Sequence, residues 1–239
     1  MSEFTVGTSW SSSLPHTSAA LKPMQGDSTR VTPRLILFDI GGVIIDLDFR
    51  DARMTLESEY LMDPETFVAL TRSGYQSEIL SVTEKVMIGA IGGEEYLAAF
   101  QRGCKRPVPL ETVQRLRESM LGPERPEMLE LLGQLKQRVP IAAFTNTMAL
   151  HWSLLMDPKI YTFPRLFDQI FASHLIGEAK PRPQAFTKVL NALGLGPEEV
   201  IFIDDSELNV VGAAQVGMKA IVFRDAGTLR SELGKYMDL

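Results

Sequence analysis

"LILFDIGGVIIDLDF", residues 35–49, decides the reading of the fold. A short apolar run ends on one carboxylate, Asp39, and two glycines follow before the chain turns apolar again. A continuous apolar run of this length suits a strand covered on both faces, as in a parallel sheet. The residue two places after Asp39 is a glycine, Gly41, where a second acid might be expected. Four more apolar runs follow: "VPIAAF" (139–144), "QIFAS" (169–173), "VIFID" (200–204) and "KAIVF" (219–223). Between them lie amphipathic stretches at helical spacing. "PEMLELLGQLKQ" precedes the second strand, "PQAFTKVLNALG" is stopped by Gly194, and "SELNVVGAAQVG" has Ser206 as its expected N-cap. Strands alternating with helices predict an α/β fold, a Rossmann-like parallel sheet flanked by helices.

The segment from Asp51 to Ser119 breaks that rhythm. "DARMTLESEYL", "DPETFVALTRS" (Asp63 as N-cap, Pro64 at the first helical position), "GEEYLAAFQRG" and "LETVQRLRES" are amphipathic, and no strand is evident among them. An all-helical cap subdomain inserted in the core is expected over 49–120, with the core formed by 33–48 and 121–239. Such an insert would cover the carboxyl ends of the strands, where open α/β sheets bind ligands. Tyr60, Arg72, Tyr75 and Arg102 are its polar or aromatic candidates for facing the site.

The first 32 residues hold seven serines and five threonines without periodicity, which reads as a flexible leader. It lacks the basic start and apolar core of a secretory signal, and Glu3 and the few arginines count against an organellar one. A single cysteine, Cys104, excludes an internal disulfide framework and fits a reducing, cytoplasmic setting. The net charge of −6 argues against a nucleic-acid partner. No run reaches the ~18 apolar residues that a membrane span needs. A monomer or homodimer is expected.

Four polar clusters fall at strand ends: Asp39, Thr145-Asn146, Lys180 in "GEAKPRP", and Asp204-Asp205. A parallel sheet gathers its strand ends on one edge, so the four can form one site. Three carboxylates there repel one another unless a cation sits among them, and a hard divalent ion with oxygen ligands, most naturally Mg2+, answers that. Thr145, Asn146 and Lys180 add the donors and charge that a phosphoryl group requires, which frees Asp39 to attack phosphorus. Each cluster also has a plainer reading as a turn or helix cap. Their order and shared placement carry the functional one.

"FDIGGVI", "FTNT", "GEAKPRPQAF" and "FIDDSELNVVGA" resemble the four motifs of the haloacid dehalogenase superfamily, over about Leu35 to Phe223. The resemblance is to members with a helical cap just after the first motif, and "FDIGGVIIDLDF", "TNTMALHW" and "KPRPQAF" look closest to a sugar-1-phosphate phosphatase branch. It implies an Mg2+-dependent phosphomonoesterase acting on a small phosphorylated metabolite through an aspartyl phosphate. It also implies roles: Asp39 as nucleophile and metal ligand, Thr145 and Asn146 as phosphate binders, and Lys180 as holder of phosphate and nucleophile. The Gly41 carbonyl and Asp205 would be metal ligands, and Asp204 a ligand or a residue behind one. Asn209 stands where many relatives have another acid.

Gly41 departs from that pattern, because phosphatases of this kind usually carry a second aspartate there, a proton donor and base worth roughly 10²–10⁴ in rate. Asp46, Asp48 and His151 are the substitutes within the sequence, although the aspartates also read as a solvated hairpin face and His151 as structural. Two other functions remain open at this level. One is a 2-haloacid dehalogenase using the same aspartate on carbon without metal, against which the retained Asp204-Asp205 pair argues. The other is a phosphometabolite-binding or regulatory protein with little turnover.

Overall fold

The computed structural model describes residues 33–75 and 77–238, so the expected leader lies outside the described residues. Strand β1 (Leu35–Phe38) runs up the middle of a five-stranded sheet. It is followed by β2 (Ile45–Leu47) and five helices: α1 (Arg50–Ser58), α2 (Pro64–Thr71), α3 (Val82–Met87), α4 (Gly93–Gly103) and α5 (Leu110–Glu118). Next come β3 (Leu121–Glu124), α6 (Pro126–Leu135), β4 (Ile141–Thr145), α7 (Ala149–Leu155), β5 (Gln169–Ala172), α8 (Ser173–Ile176) and α9 (Pro183–Leu193). The chain closes with β6 (Val200–Asp204), α10 (Glu207–Gln215), β7 (Lys219–Val222) and α11 (Ala226–Leu233).

The main sheet has the order β5-β4-β1-β6-β7, and every pairing in it is parallel. Side chains alternate across it as a strand's period of two requires. Ile36, Phe38, Ile141, Ala143, Ile201 and Ile203 pack on one face against α6 and α11. Leu35, Leu37, Ala142, Phe144, Val200 and Phe202 pack on the other against α9 and α10. Two covered faces explain why the strands read as unbroken apolar runs.

The helical insert leaves after β1 and returns before β4. Its ends are tied by an antiparallel pair, β2 with β3, in which Ile45 opposes Glu124 and Leu47 opposes Leu121. It has its own apolar centre around Leu56, Phe67, Tyr96, Leu97, Phe100 and Val113.

Several local expectations need correction. β3 is not among the expected strands, because "LGPE" contains glycine and proline, which weaken a strand reading. As half of a two-stranded ribbon it tolerates them. β4 starts at Ile141 and not at Val139, after Pro140, which has no N–H for the ladder. Ser206 and Asp63 stand at N-cap positions but their side chains make no cap bond. Asp63 pairs with Lys105 at 2.8 Å, and the Ser206 N–H donates to Asp204.

Candidate active site

The sheet brings all four strand-end clusters to one edge. Asp39 continues β1 by donating its N–H to the Ile203 carbonyl at 2.8 Å. Its Oδ1 accepts from the Ile40 N–H at 2.7 Å and lies 2.9 Å from the Lys180 ammonium. Asn146, just past β4, clamps the loop of Lys180 by bonding its backbone twice: Oδ1 accepts from the Lys180 N–H at 2.9 Å and Nδ2 donates to its carbonyl at 2.8 Å. Thr147 is fixed in turn by a reciprocal pair of bonds with Ser173, its N–H donating to the hydroxyl and its carbonyl accepting from it.

Lys180 is completely buried. Its ammonium donates to the Phe144 carbonyl at 2.8 Å and to Asp204 at 2.7 Å, between the rings of Phe144 and Phe202. Burial opposes its charge, but Asp204 and Asp39 outweigh that and push its pKa up. Asp204 is also fully buried. Its oxygens accept from Lys180, from the Ser206 N–H and twice from Asn209, so its capacity is largely used. Asp205, beside it, is exposed.

Oxygens of Asp39, Asp204 and Asp205 lie within 4.8 Å of one another. Burial pushes the Asp39 carboxyl up to about 7, against the pull of Lys180 and with help from Asp204 and Asp205. Asp205 is exposed as a residue, but its carboxyl end is partly desolvated against the site, and that together with Asp204 raises it. Three ionised carboxylates facing one ammonium leave two negative charges, and their mutual repulsion adds to the burial that raises Asp39 and Asp205. A hard divalent cation with oxygen ligands fits that donor set.

The two glycines after Asp39 play different parts here. A Cβ on Gly42, whose φ is +77°, would collide with the Asp205 carboxylate. The space beside Gly41 is filled instead by Leu47, with a methyl carbon 2.8 Å from where a Cβ would stand. The position that would hold an acid is therefore apolar. Among the described residues the three substitutes are each engaged elsewhere, although Asp46 and Asp48 share a cavity with Asp205. Asp46 bonds Arg125 at 2.8 Å, and Asp48 pairs with Arg50 at 2.6 Å, which holds it down at about 2. His151 is bonded to the Arg117 carbonyl at 2.9 Å, and burial together with the Arg117 charge lowers it to about 4.

A cavity of about 230 Å³ opens beside Asp39, with Thr145, Asn146, Lys180 and Asp205 on the sheet side and Ser73, Gly74 and Met87 on the insert side. A narrower one of about 110 Å³ shares Gly41, Leu47, Met87, Thr145 and Asn146 with it and reaches Arg117 and His151. Tyr60, Arg72, Tyr75 and Arg102 line neither; Tyr75 lies under the Arg182 guanidinium and Arg72 donates to the Ile79 carbonyl. Sequence reading also misses Arg125, which donates to the Gly42 carbonyl at 2.7 Å and draws Asp205 down. No local pattern marks it.

The sequence model of the haloacid dehalogenase-like hydrolases matches residues 33–217. A sesquiterpene phosphatase of Aspergillus oryzae is 29% identical over 200 residues, covering 82% of this chain and 92% of that protein. A D-ribitol-5-phosphate phosphatase of Bacteroides thetaiotaomicron is 22% identical over 202 residues, 83% and 95% of the two chains. Among solved structures, a haloacid dehalogenase family enzyme from that bacterium, in complex with magnesium and inorganic phosphate, superposes with a TM-score of 0.69. It is 22% identical, and the match covers 82% of this chain and 98% of that one. An L-2-haloacid dehalogenase shares the fold at a TM-score of 0.56 and 18% identity, over 79% and 85% of the two chains. Among the described residues no helix is long and apolar enough to cross a membrane.

Proposed function

Because this chain belongs to the haloacid dehalogenase-like hydrolases, we propose that it is an Mg2+-dependent phosphomonoesterase that cleaves a small phosphorylated metabolite through an aspartyl phosphate on Asp39. The observation that carries this reading is the meeting of Asp39, Asp205 and Lys180 beside one cavity, with the carboxylates in excess. Relatives that are phosphatases of small molecules point the same way. Its place would be the cytoplasm, as a monomer or homodimer.

Asp39, Asp205 and the Gly41 carbonyl would hold the cation, which neutralises the carboxylates and phosphoryl oxygens when bound. Asp204, already engaged by Lys180 and Asn209, would position that lysine. An oxygen of Asp39 attacks phosphorus while the ester P–O bond breaks, and the alcohol departs with the bonding pair. Thr145, Asn146 and Lys180 bind the transferring oxygens. Water then attacks phosphorus, releasing inorganic phosphate and restoring the Asp39 carboxylate.

With Gly41 and Leu47 where an acid would be, the departing oxygen takes its proton from solvent. That favours alcohols that leave as stabilised anions. Sugar 1-phosphates meet this condition, as the sequence resemblance implies. Yet the inner cavity offers mostly Leu47, Met87, Met120, Met148 and Leu155, poor company for sugar hydroxyls. We favour a leaving group whose body next to the phosphoryl oxygen is apolar, such as an aryl or enol alcohol. The direct test is hydrolysis of p-nitrophenyl phosphate with Mg2+ and with excess chelator. Turnover lost on chelation and restored by Mg2+ is expected. Equal rates with and without chelator would overturn the metal, and no turnover with Mg2+ would overturn the phosphatase.

A further inference from the structure

Arg117 is buried to within 2% of its surface, near the carboxyl end of α5, and lines the inner cavity. It forms no salt bridge among the described residues, and its Nε and Nη1 have no hydrogen-bond partner there. The Tyr96 hydroxyl lies beside it and Thr83, within interaction range of both but in no well-aligned hydrogen bond among the described residues. Three of the four buried side-chain polar atoms without partners among the described residues therefore converge on one spot. The guanidinium sits 4.9 Å from the centre of the Phe100 ring and 5.4 Å from that of Tyr96. Those rings and the helix terminus stabilise its charge. They accept none of its planar N–H bonds, and an unmet buried donor is costly, more so when charged.

We propose that this spot is a binding subsite for a carboxylate carried at the far end of the leaving group. The inference rests on the phosphatase reading of the same site. A carboxylate supplies two acceptor oxygens in one plane, the shape that matches the guanidinium fork. His151, at the same wall, is held neutral and so does not compete for the anion. Leu47 and Met87 line both the cavity beside Asp39 and the one beside Arg117, and Met148 lines the latter. A volume of about 110 Å³ is smaller than the ~150 Å³ cavity that takes benzene, so it suits a short arm ending in one planar group and not a second ring. The substrate class is then a phosphate monoester of a hydroxy-acid, phosphoryl at Asp39 and carboxylate at Arg117. Asp39 would set the chemistry and Arg117 the specificity.

The test measures binding to Asp39→Asn protein by calorimetry with Mg2+, so that no turnover intervenes. The probes are phenyl phosphates carrying a carboxylate on the ring directly, or through one or two methylenes, each against its methyl-terminated counterpart. At least one carboxylate is expected to bind ten times more tightly than its counterpart or better, as a charged hydrogen bond in a buried site provides. Adding Arg117→Met should bring the two affinities within about twofold of each other, and Arg117→Lys should restore part of the gap. Equal affinities in Asp39→Asn, a preference that survives Arg117→Met, or no binding of any probe would overturn the subsite. Failure of the wild type to hydrolyse the methyl-terminated probes would count against the phosphatase reading alone.

Discussion

Among the described residues two lysine or arginine side chains are buried, Lys180 in the sheet core and Arg117 in the helical insert, and their surroundings are opposite. Lys180 has two carboxylates and a carbonyl within 2.9 Å. Arg117 has two aromatic faces, and two of its nitrogens reach no oxygen. The first set belongs to the fold itself and is complete before any substrate arrives. The second lacks a partner that the described residues do not supply. The contrast divides the labour of the site: fixed charges in the core for the chemistry that every substrate shares, an open demand in the insert for what distinguishes one substrate from another.

Replacing each cation by methionine tests that contrast where the expected effect is largest. Lys180→Met leaves Asp39 and Asp204 buried without their counterion and should cost about 3–5 kcal/mol in urea unfolding without metal. Arg117→Met removes a charge that has no ion partner, and should change stability by about 1 kcal/mol or less, or raise it. Equal costs would make Arg117 a structural cation and erase the distinction.

A smaller effect comes from His151, which the Arg117 charge helps to keep neutral. Its pKa falls from 6.5 to about 4 on folding. The unfolded chain then binds more protons between those values, so stability is complete above about pH 6.5 and declines as the pH drops towards 4. The full loss is about 3 kcal/mol, since each tenfold change in proton affinity is worth about 1.4 kcal/mol. His151→Gln keeps a donor for the Arg117 carbonyl and should flatten that acid limb in unfolding measured from pH 7.5 to 4.5. In Arg117→Met the limb should be shallower, since one of the two causes is gone. An acid limb unchanged in both variants would show that His151 titrates normally.

The core half of the molecule is legible because its physics is local and repetitive. Strands covered on both faces must be apolar throughout, so "LILF", "IAAF" and "VIFI" announce themselves, and their ends mark where Asp39, Thr145, Lys180 and Asp204 meet. The insert is less legible. Helix α3 is six residues long, too short for periodicity, and its one readable signal is the capping box from Ser81 to Glu84. Arg117 reads as one more charge in the last turn of an amphipathic helix, and only tertiary packing sets its guanidinium against the rings of Tyr96 and Phe100. The same holds for Arg125, whose contacts to Gly42 and Asp46 span about eighty residues of chain. Leu47, which fills the space beside Gly41, reads in the sequence as part of a strand and not as the reason an acid is absent.

That absence frames the central claim, that Asp39 carries the phosphoryl group and Gly41 gives it no proton donor or base. An aryl phosphate needs little help to leave, whereas the water that frees the enzyme has lost its base. Phosphoryl-enzyme should therefore accumulate. The measurement is rapid-quench mass spectrometry of the peptide containing Asp39 after mixing protein, Mg2+ and p-nitrophenyl phosphate. We expect a burst of nitrophenol matched by one phosphoryl group on Asp39, absent with chelator and absent in Asp39→Asn, which should lose about 10⁴-fold or more in turnover. Steady turnover with Asp39 unmodified, or the phosphoryl group on another residue, would contradict the account.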